Sequence, residues 1–179
     1  MYANVFVIAV CALFLLGSVS CRRTRNALAG DGEDGRPLAS VINVADAATT
    51  VQLIRGFYPA DGNPWRWSRS TFAVVLRPPS GAAKDGARLE MKFSYPESVF
   101  HREGQMKLSA KVGRQELPAE VYSMPGEYTF TRDVSAATLS SDAVAIEFTS
   151  DKKLVMDDQR ELALIPLSIG LVSKGLGSK

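Results

Sequence analysis

The chain has 179 residues, 46% apolar and 22% charged, proportions that exclude a disordered chain and a collagen-like fibre and a length that holds one domain with appendages. Its 21 basic and 19 acidic side chains leave a net charge of +2, too little for an electrostatic nucleic-acid binder, so no nucleic-acid partner is expected. A single histidine excludes a multi-His metal centre, and neither a metal nor a cofactor is expected.

Residues 1–21 contain no Lys, Arg, Asp or Glu, and Val5–Leu16 reads VFVIAVCALFLL. Twelve apolar residues make about 18 Å of helix against roughly 30 Å of bilayer hydrocarbon, too short for a comfortable span. With the small residues Gly17-Ser18-Val19-Ser20 behind it, the segment reads as a secretory signal helix over 1–20. Ser18-Val19-Ser20-Cys21 resembles a lipobox, with Ser18 where Leu is usual. Only Cys11 and Cys21 exist, so cleavage before Cys21 leaves one thiol, at the first mature residue, and Cys21 is the expected lipidation site. Cleavage by an ordinary signal peptidase at Ser18 and Ser20 is the alternative. Met1-Tyr2-Ala3-Asn4 lacks the usual basic residue, whereas Arg22, Arg23 and Arg25 follow the apolar run. Charge placement alone would give a reverse anchor; the shortness of the run favours a signal with a different start.

Residues 21–38 are read as a flexible tether, rich in Gly and Asp over NALAGDGEDGRP. Asp31-Gly32-Glu33-Asp34-Gly35 lacks the alternating acidic spacing and distal Glu of a calcium loop. The chain is thus expected to be membrane-attached through a lipid and to lie in the cell envelope.

From residue 39 to 175 the pattern is that of strands. Val51–Ile54 opens it, followed by the stripe Phe72, Val74 and Leu76, then Leu89, Met91, Phe93 and Tyr95 with Arg88, Glu90, Lys92 and Ser94 opposite. Met106, Leu108, Ala110 and Val112 alternate with Gln105, Lys107, Ser109 and Lys111; Tyr128 with Phe130 and Val144 with Ile146 and Phe148 continue the pattern. In the last strand Ile165, Leu167, Ile169 and Leu171 are expected to share one face. Pro78 to Gly86 reads as a loop, Gly113-Arg114 as a two-residue hairpin, and Pro125-Gly126 as the opening of the Tyr128 strand. Short turns fit Ala45–Thr50 and Ser135–Ser141, and no longer window has helical periodicity. Seven to nine half-buried strands predict an all-β fold, an antiparallel two-sheet sandwich.

The least generic residues are Phe57-Tyr58-Pro59, Trp65-Arg66-Trp67-Ser68, Pro125-Gly126-Glu127-Tyr128 and Asp158-Gln159-Arg160-Glu161-Leu162. In this order, across residues 51–172, they resemble a β-sandwich module of bacterial envelope proteins, similar to galactose-binding or carbohydrate-binding jelly rolls. Some such modules are appended to glycosyltransferases. The resemblance implies a jelly-roll sandwich and carbohydrate binding; a glycosyltransferase domain is not read here, and transferase activity is not expected.

Four residues are the candidate ligand-binding set: Trp65, Arg66, Trp67 and Arg160. An extended Trp-Arg-Trp segment puts both indoles on one side and the guanidinium on the other. Flat aromatics beside hydrogen-bonding groups suit a pyranose, whose apolar face stacks on a ring while its hydroxyls are bonded at the rim. The competing reading makes each Trp a plug of the sandwich end and pairs Arg66 with a carboxylate such as Asp158. For Arg160 it is a local fork with its neighbouring acids that pins the last strand. Ala60–Pro64 either lines the site or merely turns the chain.

His101 is the only imidazole and by residue type a candidate general base, but no G-x-S-x-G elbow surrounds a serine, and Cys21 is not free if acylated. Nothing in the spacing of the acids favours a glycosidase pair. No catalytic residues are assigned, and the chain is expected to be a non-enzymatic binder of an envelope polysaccharide. The rival is a structural or protein-interaction module with an envelope protein as partner; a small hydrolase with converging carboxylates ranks third.

Overall fold

The computed structural model describes residues 37–174; the apolar run, Cys21 and nearly all of the tether lie outside them. The described residues form eleven strands: β1 (Val41–Asn43), β2 (Leu53–Phe57), β3 (Ser68–Leu76), β4 (Ala87–Tyr95), β5 (Met106–Val112), β6 (Gln115–Tyr122), β7 (Gly126–Val134), β8 (Val144–Ser150), β9 (Leu154–Val155), β10 (Glu161–Leu162) and β11 (Ile165–Ser173). They build a four-stranded sheet in the order β1-β11-β4-β7, a five-stranded sheet in the order β2-β3-β8-β5-β6, and a two-stranded ribbon β10-β9. Every pairing is antiparallel. The expected two-sheet sandwich is present.

The alternating stripes explain how the two sheets meet. Leu89, Met91, Phe93 and Tyr95 of β4 are fully buried, as are Phe72, Val74 and Leu76 of β3 and Met106, Leu108 and Val112 of β5. Together with Ile146, Phe148 and Phe130 they form one continuous core. Phe72 stacks on Phe148 at 5.1 Å, and Phe130 meets Phe148 edge-on at 6.2 Å. Each such ring contributes about 1.5–3 kcal/mol through burial. On one flank the gap between sheets is closed by Arg132, whose Nε donates to the Pro118 carbonyl at 2.6 Å and whose Nη2 pairs with Glu120 at 2.8 Å. Pro118 also removes a donor from edge strand β6, which discourages pairing with another chain.

Three expectations need correction. In β11 the register shifts between Pro166 and Ser168, so Leu167 is an extra residue and the face changes there. Ile169 and Leu171 are buried, Ile165 and Leu167 only half so, and both chain neighbours of Ile165, Leu164 and Pro166, are buried. Helix α1 (Ala82–Asp85) lies inside the expected Pro78–Gly86 loop, and α2 (Glu97–Glu103) forms where no helix was expected. Seven residues are too few to show periodicity, but the termini carry signals: Glu97 in the first turn, His101 and Arg102 in the last, and Gly104 with φ of 75° at the C-cap. His101 therefore sits on a helix, exposed and 3.1 Å from Glu97. The short turns fall close to expectation, at Ala47–Gln52 and Ala136–Leu139.

Candidate functional site

The Trp-Arg-Trp segment sits near the tip of the hairpin joining β2 to β3. Tyr58 N–H donates to the Trp67 carbonyl at 3.0 Å, extending the pairing of Phe57 with Ser68. The chain reverses at Ala60–Asn63, where Asp61 and Gly62 have φ of 48° and 82°, the two left-handed residues of a type I′-like hairpin turn. Asn63 locks the turn with its backbone N–H and side-chain Nδ2, which donate to the Ala60 carbonyl at 2.8 and 3.0 Å.

At the base of the hairpin, Gly56 has φ of +80°, and a Cβ there would lie 2.3 Å from the Thr71 carbonyl oxygen and 2.6 Å from the Phe72 Cα. Only glycine lets β2 press this closely on β3. The contact aims Phe57 at Phe72, edge-on at 5.3 Å, and leaves Tyr58 at the mouth of the site.

The structure keeps the two indoles together and ties Arg66 to the 3₁₀ turn. Trp65 and Trp67 meet edge-to-face at 6.2 Å and 87°, a geometry worth about 0.5–1.5 kcal/mol. Both are half-buried, and Trp67 packs against the core. Trp67 is thus a brace, and Trp65 is the ring it holds in place. Arg66 reaches the 3₁₀ turn, where its Nη2 donates to Thr50 Oγ1 at 3.2 Å. The pairing of Arg66 with a carboxylate such as Asp158, offered by the competing reading, is not formed with Asp158. Asp158 is engaged by Arg160, whose Nε and backbone N–H donate to its carboxylate at 2.6 and 3.1 Å. These bonds and an opposite charge hold the Asp158 carboxyl below its usual pKa.

Arg160 therefore forms the local fork, in the turn between β9 and β10, and makes no hydrogen bond to the Trp segment. What joins that turn to the hairpin is a residue the sequence reading did not single out as a ligand. Glu161 N–H donates to the Tyr58 hydroxyl at 3.1 Å. The Glu161 carboxylate accepts from Ser70 Oγ at 3.2 Å and pairs with Lys153, and the Lys153 bond is the main cause of its lowered pKa. The Arg69 guanidinium lies 5.6 Å from the Tyr58 ring centroid, within reach of a cation–π contact. Below this, Ser68 N–H donates to the Leu164 carbonyl at 2.8 Å, and Ala163 N–H donates to the Ser68 carbonyl at 3.0 Å. The edge thus presents Tyr58, Trp65, Trp67, Arg69, Lys153 and Glu161 on two pinned segments.

A second feature is invisible in any single strand. Across the solvent face of the five-stranded sheet one registered row runs Arg55, Ala73, Glu147, Lys111, Glu116. Arg55 pairs with Glu147 over the short Ala73, and Lys111 pairs with Glu116 at 3.3 Å. Depressions of about 370 and 270 Å³ flank the row and share Lys111 and Glu147. The charges satisfy one another and no aromatic ring lines either depression, so this face has the chemistry of an ordinary solvated sheet. The Trp65 edge is the better candidate for recognition.

Among the described residues no group of three or more His, Cys, Asp or Glu is placed to hold a metal, and no helix is long and apolar enough to cross a membrane. No family model and no curated protein matches the chain. Among solved structures, the CBM36-1 domain of a multidomain xylanase from the hindgut metagenome of Trinervitermes trinervoides is similar at 15% identity and a TM-score of 0.33, over 65% of this chain and 84% of that chain. The sandwich assignment rests on this chain's own strand pairing.

Proposed function

We propose that the chain is a non-catalytic module that binds an envelope carbohydrate at the edge formed by the β2–β3 hairpin and the β9–β10 turn, with Trp65 as the stacking surface. One observation carries this reading: two orthogonal indoles stand half-exposed near a hairpin tip, one rooted in the core and the other resting on it. A ring fixed in advance loses little entropy on binding. Polar groups within the same edge, Arg69, Lys153 and Glu161, suit the hydroxyls of a sugar stacked on the ring. The jelly-roll reading of the sandwich belongs to this proposal, as does the placing of the module in the cell envelope by a lipid on Cys21.

Tryptophan emission tests the ligand. A neutral quencher is expected to reach part of the fluorescence, and a bound oligosaccharide to protect it, with the protected fraction lost in Trp65→Ala. No glycan shifting or protecting the emission, together with a Trp65→Ala variant that unfolds, would leave the structural or protein-interaction module as the reading. The anchor is tested separately. Labelled fatty acid is expected to enter the chain expressed in a bacterium and to be lost in Cys21→Ala, along with membrane association. A wild-type chain that takes up no label contradicts the anchor.

A further inference from the structure

We infer that the carbohydrate taken at this edge is an acidic oligosaccharide, and that Arg66 recognises its carboxylates; the inference rests on the glycan reading above. Arg66 is half-buried, and among the described Arg and Lys side chains it alone carries a buried nitrogen, Nε, without an acceptor. Its one side-chain hydrogen bond is to a neutral partner, Thr50 Oγ1 at 3.2 Å. A half-buried guanidinium is costly unless an anion meets it, and among the described residues Arg66 forms no salt bridge. Asp158 is held by Arg160, Glu161 by Lys153, and Asp46 caps the 3₁₀ turn by accepting from Ala48 N–H at 2.8 Å. The missing counter-charge is one a ligand can supply, meeting the guanidinium through its Nη edge.

Geometry sets the ligand's size. Arg66 is tied to Thr50 on the 3₁₀ turn while the two indoles pack on each other, so a saccharide stacked on Trp65 that also meets the guanidinium extends from the ring toward that turn. Several linked sugars suit this better than a monosaccharide.

The test passes the full-length protein over immobilised polygalacturonate, alginate and hyaluronate, each beside its carboxyl-reduced form, which keeps the polymer and removes the charge. The expected result is retention on at least one acidic polymer, weakened about tenfold or more on its reduced form, the size of a charge-assisted hydrogen bond. Galacturonic acid monomer should compete poorly. Arg66→Gln should bring affinity for the acidic polymer down to that for the reduced one. The wild-type comparison decides the matter even if that variant does not fold. Equal retention on acidic and reduced polymers overturns the acidic preference and leaves the carbohydrate reading intact. Retention on none, including the neutral forms, overturns both.

Discussion

Tyr58 and Glu161, 103 residues apart in sequence, are joined by a single bond from the Glu161 backbone N–H to the Tyr58 hydroxyl at 3.1 Å. That bond couples the hairpin carrying the tryptophans to the ribbon leading into the last strand. Tyr58→Phe removes the hydroxyl, keeps the ring under Arg69, and leaves the Glu161 N–H without its acceptor. A loss of roughly 1–3 kcal/mol is expected, read as a lower denaturation midpoint with an unchanged slope. A variant as stable as the wild type would mean that the bond does not hold the edge together.

The two tryptophans should respond differently to truncation. Trp67 packs on the core, and Trp67→Ala should cost roughly 3–5 kcal/mol through the cavity left behind. Trp65 is not among the residues packed against the core and meets Trp67 edge-to-face, so Trp65→Ala should cost about 0.5–1.5 kcal/mol. Equal costs in a denaturation series would show that both rings are core plugs.

Gly56→Ala tests the close approach of β2 to β3. The new Cβ meets the Thr71 carbonyl at 2.3 Å with φ at +80°, and strain plus displacement should cost on the order of 2–4 kcal/mol. Weakened protection of the Tyr58 amide in hydrogen exchange should accompany the loss. An unperturbed variant would overturn the local geometry.

Much of the fold was legible because half-buried antiparallel strands print their burial directly as period two. Leu89, Met91, Phe93 and Tyr95 are named by that rule and are all fully buried. Phe93→Asp should therefore unfold the domain, an unpaired charge in that stripe having no partner; persistent β structure by circular dichroism would contradict it. Leu167 was misplaced because a bulge shifts the face without leaving a signature in side-chain chemistry. Trp65 and Trp67 stood out by composition, but no local pattern tells a braced ring from a plug. The Tyr58–Glu161 bond, the Thr50 partner of Arg66 and the Arg55-to-Glu116 row depend on pairings across sequence distance. None of these is written in the segments themselves.

Acid should loosen the ribbon before the core. The Glu161 carboxyl titrates below its ordinary value of 4.5, chiefly through its Lys153 bond and also through Ser70. A depressed carboxyl stabilises the fold above its unfolded pKa, and the contribution is lost as pH falls from about 4.5 through the lower folded value. Between neutrality and pH 5 stability should not respond to this group. Glu161→Gln should flatten the stability profile below pH 4.5; a profile identical to the wild type would mean that the pair contributes nothing.

The most direct measurement of the central claim is affinity electrophoresis of the wild type and Trp65→Ala through gels containing envelope polysaccharides, run beside a denaturation curve for each. Recognition through Trp65 predicts that at least one polysaccharide retards the wild type, that the variant migrates as in an empty gel, and that both proteins unfold within about 1.5 kcal/mol of each other. Retardation that survives the loss of Trp65, or an absence of retardation in every gel with a folded wild type, would contradict it.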